Sequence, residues 1–99
     1  MKDKYLPIGS VVKLKRSDKR VFITSFLVKE NDSDKIYDYS GFTYPEGMTD
    51  PQKVILFNNK DIDKVDFNGY EDKEWKEYSL ELGEVKAKNQ NDTFIDVLE

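Results

Sequence analysis

At 99 residues, with 37% hydrophobic, 13% aromatic and 36% charged side chains, the chain has room for one domain and one modest core. It contains no cysteine and no histidine, which excludes disulfides, thiolate metal sites, histidine general bases and imidazole ligands. The net charge of −4 is uneven: residues 1–20 carry seven basic and two acidic side chains, residues 21–57 three and six, and residues 58–99 six and twelve, so the acidic later part argues against a general nucleic-acid surface.

Taken in chain order, the opening stretch Met1–Pro7 has no apolar h-region of the kind a signal peptide needs. The longest apolar-leaning run, Val21–Val28, falls far short of the ~20 residues of a membrane-spanning helix, so a cytoplasmic location is expected. Ser10, Val12 and Leu14 alternate with Val11, Lys13 and Lys15, the period of a half-buried strand. Arg16–Arg20 is a polar turn, and its cluster with Lys13 and Lys15 reads as the charged face of a hairpin rather than an RNA contact. Val21–Val28 is apolar on both faces, as a central strand covered on both sides would be. Glu30–Asp34 is rich in residues that bond their own backbone and predicts a second turn. Lys35–Phe42 predicts a third strand, with Ile36, Asp38, Ser40 and Phe42 on one face and Tyr37 and Tyr39 on the other.

Thr43–Pro51 holds two prolines and a glycine and predicts a loop. Lys53–Phe57 predicts a fourth strand. Asn58 or Asn59 caps one helical turn through Asp61–Asp63, with Ile62 dipping into the core, and Val65 and Phe67 form a short fifth strand closed by Asn68–Gly69. Beyond Gly69 the period changes. Trp75, Tyr78, Leu82 and Val85 recur at helical spacing, acidic residues occupy the first turn, and a helix is predicted from about Glu71 to Lys86 despite Gly83. Asn89–Asp92 reads as a break before the apolar stretch Thr93–Glu99.

The fold expected is α+β and mostly β: a curved antiparallel sheet, or small partly open barrel, of about five strands with one C-terminal helix. Residues 1–88 form a single β-rich domain with its helix, and residues 89–99 an apolar tail. Val12, Leu14, Phe22, Phe26, Val28, Phe42, Ile55, Phe57, Ile62, Val65 and Phe67 are the expected core.

Catalytic chemistry is not legible. Neither a Walker phosphate loop nor G-x-G-x-x-G occurs. Asp61, Asp63 and Asp66 sit on a short polar stretch where solvation is their expected state, and the alternating acids Asp32, Asp34 and Asp61, Asp63 lack the glycine and closing glutamate of a calcium loop. The expectation is a protein that is not an enzyme, with no cofactor and no metal.

Four segments carry a resemblance: Leu6-Pro7-Ile8-Gly9-Ser10-Val11-Val12 with Leu14-Lys15, then Tyr37-Asp38-Tyr39-Ser40-Gly41, then Tyr44-Pro45-Glu46-Gly47, and Phe57-Asn58-Asn59-Lys60-Asp61-Ile62-Asp63-Lys64-Val65 ending in Phe67-x-Gly69-Tyr70. In this order they resemble a Gram-positive bacterial family, domain of unknown function family 4176, across roughly residues 5–75. The resemblance implies an accessory protein of the type VII secretion system and its LXG-domain toxins: a cytosolic adaptor or chaperone that binds an effector or a secretion component. The alternatives are an immunity protein that neutralises a cognate toxin, and a small ligand- or nucleic-acid-binding barrel. A protein partner is expected, with neither nucleic acid nor membrane insertion. Candidate binding residues are Tyr37, Tyr39, Tyr44 and Met48 on a strand edge and a Pro-Gly loop, Trp75 on the helix, and Phe94, Ile95 and Leu98 in the tail.

Overall fold

The computed structural model describes residues 5–91, with side chains through Lys88. Five strands form one antiparallel sheet: β1 (Val11–Leu14), β2 (Arg20–Lys29), β3 (Ile36–Tyr44), β4 (Ile55–Phe57) and β5 (Ile62–Phe67). One helix follows, α1 (Lys73–Asn91). The expected mostly-β fold with a C-terminal helix is what the chain adopts, as an open sheet.

Strand order is β4-β3-β2-β1-β5, so β4 and β5 are the two edges although only residues 58–61 join them. A flat five-strand sheet would hold its edges about 19 Å apart at ~4.8 Å per strand. Those joining residues include a 3₁₀ turn, Asn59–Asp61, which rises only about 2 Å per residue, so the sheet has to curl to bring its edges together. The turn is tied at both sides. Lys15 N–H donates to the Asp61 carbonyl at 2.9 Å from the β1 side, and Asn59 N–H donates to Asp38 Oδ2 at 2.8 Å from the β3 side. Asn58 N–H donates to Asp61 Oδ2 at 2.9 Å and closes the turn on itself.

Bulges supply the curvature. Thr24 is the extra residue where the β2–β3 register slips between Ile23 and Ser25, and its hydroxyl donates to the Ser40 carbonyl at 3.2 Å. Leu27 follows at φ 50. Two further slips interrupt the β1–β5 ladder.

The helix covers one face of the sheet. Tyr5, Val12, Val21, Ile23, Leu27, Tyr39, Phe57 and Leu82 form the buried core, with Phe26, Trp75 and Val85 packed against it. Burying a residue such as Leu82 from α1 against the sheet contributes about 1.5–3 kcal/mol. Phe26 joins the layers: its ring centroid lies 5.3 Å from Trp75 and 6.0 Å from Tyr39.

Several expectations are corrected here. Phe22 and Val28 are only half-buried, while Val21, Ile23 and Leu27 are the buried set of β2. The Thr24 bulge brings Phe26 to the core side with Val21 and Ile23, and Leu27, at φ 50, is buried beside it. Val65 and Phe67 are exposed, at 44% and 59%, because β5 is an edge strand. The helical turn lies at Asn59–Asp61, ahead of the expected position, and Ile62 opens β5. The expected break at Asn89 is absent: α1 runs through to Asn91, since the stretch contains neither proline nor glycine to stop it.

A polar cluster inside the fold joins residues from distant segments of the chain. The Asp38 carboxylate, 2% exposed, meets Lys86 Nζ at 2.9 Å and accepts from Tyr5 OH at 3.2 Å. Tyr39 OH donates to Asn59 Oδ1 at 2.6 Å and accepts from Leu6 N–H at 2.9 Å. A second lock holds the N-terminal segment: Ser10 Oγ, buried, donates to the Pro7 carbonyl at 2.8 Å and accepts from Gly69 N–H at 2.9 Å. A Cβ at Gly69 would stand 2.3 Å from the Ile8 carbonyl oxygen, so this approach requires glycine.

Candidate protein-binding surfaces

A single helix covers one side of the sheet and leaves the other to solvent. Across that side the register aligns Phe42 of β3, which is buried as expected, with Phe22 of β2, Val11 of β1 and Phe67 of β5 as direct cross-strand partners. Directly paired residues point to the same face, so these four side chains make one apolar row. A second aligned row runs beside it: Tyr44, Arg20, Lys13 and Lys64. Between the rows lies a shallow groove of about 900 Å³, lined by Val11, Phe22, Tyr44, Pro45 and Phe67.

Two carboxylates pair with the three cations of the second row. Arg20 Nε donates to Asp66 Oδ2 at 2.6 Å, Lys64 Nζ lies 3.6 Å from Asp66 Oδ1, and Lys13 Nζ lies 3.4 Å from Asp63. The guanidinium beside Asp66 holds its carboxyl below the usual range, chiefly through that hydrogen bond. At the rim, Lys19 Nζ donates to Glu46 Oε2 at 2.8 Å and lowers the Glu46 carboxyl in the same way. The groove is therefore apolar along its floor, and its wall sets three cations against two carboxylates.

The residues singled out by the sequence do not converge. Tyr44 stands in the groove at 48% exposure, and Met48, 60% exposed, lies further along the Pro45–Gly47 loop. Gly47 permits that loop's turn at φ 78, with its N–H donating to the Thr43 carbonyl at 2.8 Å. Tyr39 presents no surface: it is fully buried, stacked on Phe57 at 5.2 Å and separated from Trp75 by Phe26. Its hydroxyl serves the internal cluster instead. Tyr37 is half-buried at the entry of β3, with Lys35 Nζ 5.5 Å from its ring centroid and its hydroxyl donating to Glu30 at 3.3 Å. Trp75 is half-buried on α1 beside Tyr78, at 6.1 Å, in a shallow depression bordered by Asp72, Glu74, Glu77 and Glu81. Phe94, Ile95 and Leu98 lie outside the described residues. Among those residues no three carboxylates converge as a metal site requires, and no helix is long and apolar enough to cross a membrane.

The sequence reading missed Phe22 and Phe67 on this face, whereas it set Val11 opposite the core face of β1. It took Phe22 for core because β2 is apolar on both faces, and Phe67 because it alternates with Val65 in a short strand. The signal that would have found them is the element count: five strands and one helix leave one sheet face uncovered.

A family model described as Domain of unknown function (DUF4176) matches residues 5–78, which span all five strands and the start of α1. No curated protein and no solved structure matches the chain.

Proposed function

The chain belongs to the DUF4176 family, and from that premise we propose that it is a cytosolic accessory protein, an adaptor or chaperone for an LXG-type effector or a component of the type VII secretion system. In this reading it performs no catalysis and acts by binding protein. The observation that carries the reading is the apolar row of half-buried Phe22 and Val11 with exposed Phe67, and exposed Tyr44 beside it. Exposed apolar side chains gathered on one face, rimmed by charge, mark interaction surfaces, and aromatic residues are enriched at the centres of such surfaces.

The test is co-purification of the chain with LXG effectors of its own genome, in wild-type form and as the Tyr44→Ser/Phe67→Ser double variant. Both positions are exposed, so the variant should keep its melting temperature and lose the effector. Retention of the effector by a folded double variant would remove the open face from the proposal.

A second reading, an immunity protein for a cognate toxin, is favoured by the acidic border of the Trp75 depression, which suits a basic toxin surface. Expression of this chain alone would then rescue cells poisoned by the toxin, whereas an adaptor would be required for export and give no rescue.

A further inference from the structure

A second groove, of about 650 Å³, opens on the rim where the end of β1, the entry of β3 and the β4–β5 turn meet. Lys15, Arg16, Lys35 and Lys60 border it, and Tyr37 and Leu56 supply its apolar lining. One acid, Asp61, is present, and one of its oxygens is already engaged by Asn58 N–H. The local formal balance is three positive charges in a chain whose net charge is −4.

These cations lack the ion pairs that five others make. Lys13, Lys19, Arg20, Lys64 and Lys86 each have a carboxylate within ion-pair distance. Lys15, Arg16, Lys35 and Lys60 have none among the described residues, and Lys35 faces the Tyr37 ring instead. Four neighbouring cations with a single carboxylate, Asp61, among them repel one another, and that repulsion is relieved when an anion enters between them. The groove also runs beside β4, an edge strand, whose outer main-chain groups suit an extended polypeptide.

We propose that this groove binds an extended acidic segment of a partner polypeptide, with an apolar side chain against Leu56 and Tyr37 and flanking carboxylates on the four cations. The site lies apart from the open sheet face and does not depend on it. A nucleic acid fits less well. Its phosphates continue beyond a groove of this size on to a surface that is acidic elsewhere, and they make no use of an apolar lining.

The probe is a fluorescently labelled peptide, Ac-EDLFDE-NH2, titrated into the full 99-residue chain by anisotropy at low and high salt. The expected results are binding at low salt, weakening as salt rises, and a loss of about tenfold or more for Lys35→Glu/Lys60→Glu. The amide counterpart Ac-QNLFNQ-NH2 should not bind. Backbone amide shifts on titration should centre on Lys35, Tyr37, Leu56 and Lys60, and Phe67→Ser should leave the affinity unchanged. Four outcomes would overturn the proposal: no binding, binding insensitive to the charge reversals, loss of binding in Phe67→Ser, or tighter binding of an oligouridine to the same residues. A fifth is peptide uptake only after residues 92–99 are deleted. That stretch is itself acidic and apolar, and the groove's occupant would then be this chain and not a partner.

Discussion

Lys86 Nζ lies 2.9 Å from Oδ1 of Asp38, a carboxylate that is 2% exposed. Asp38 falls within the family match and Lys86 beyond it, so the later part of α1 neutralises a charge buried in the shared β-rich unit.

That pairing sets the first prediction. Lys86→Met leaves the buried carboxylate without its cation and should lower stability toward the smaller end of about 3–5 kcal/mol, since Lys86 keeps a 26% exposed side chain. Adding Asp38→Asn should recover part of the loss. Urea melts of the two single variants and the double variant measure the coupling, and additive losses would show that the two groups act separately.

Helix α1 offers a gain. A Cβ at Gly83 meets nothing within 4 Å, and the position lies well inside the helix. Gly83→Ala should stabilise the domain by about 1 kcal/mol, or roughly 4–8 °C in melting temperature. Gly41 is the opposite case. Its Cβ would stand 2.3 Å from the Phe22 carbonyl oxygen, so Gly41→Ala should push β2 and β3 apart and lower the melting temperature.

The two large side chains of β2 should separate cleanly. Phe26 touches Tyr5, Tyr39, Trp75 and Tyr78, and Phe26→Ala should cost close to the ~3–5 kcal/mol typical of core phenylalanines. Phe22 faces the open side, and Phe22→Ala should cost clearly less. Trp75 is the single tryptophan, and its fluorescence should respond to Phe26→Ala and hardly at all to Phe22→Ala. Equal losses would reverse the facing assigned to β2.

Acid should weaken the surface pairs in a defined window. The Asp66 and Glu46 carboxyls are lowered by Arg20 and Lys19 respectively, so each pair contributes fully above the ordinary carboxylate pKa of about 4. That contribution fades as pH falls through the lowered folded-state values. Both pairs lie at the surface and are screened by salt. Carboxyl titration followed by NMR should show the Asp66 midpoint rise in Arg20→Gln, and an unmoved midpoint would leave Arg20 without that role.

The architecture was legible because its signals are local. Period-2 stretches gave way to helical spacing after Gly69, and turns fell where Asp, Asn and Gly cluster. Facing was harder to read. A single inserted residue, Thr24, brings Phe26 to the same side as Val21 and Ile23, and nothing in Thr24-Ser25 distinguishes a bulge from continuous strand. The role of Tyr39 was hidden for another reason. A tyrosine is equally at home at an interface or in a core, and the choice depends on Asn59 and Leu6, which only folding brings to its hydroxyl. The cations of the rim groove come from residues 15 and 16, 35 and 60, three places in the chain whose meeting no local pattern announces.

The placement of β5 beside β1 has a consequence for how the chain is made. Val11 pairs with Phe67 across most of the domain, and residues 58–61 fold back to carry β5 there. During synthesis the β1–β2–β3 hairpins can form early, but the outer edge of β1 stays bare until Phe67 has left the ribosome. Pairings so distant in sequence are slow to form, and an unpaired strand edge invites other chains. A nascent chain arrested before Ile62 would therefore be a sheet with an unfinished margin, in need of shielding until its last strand arrives.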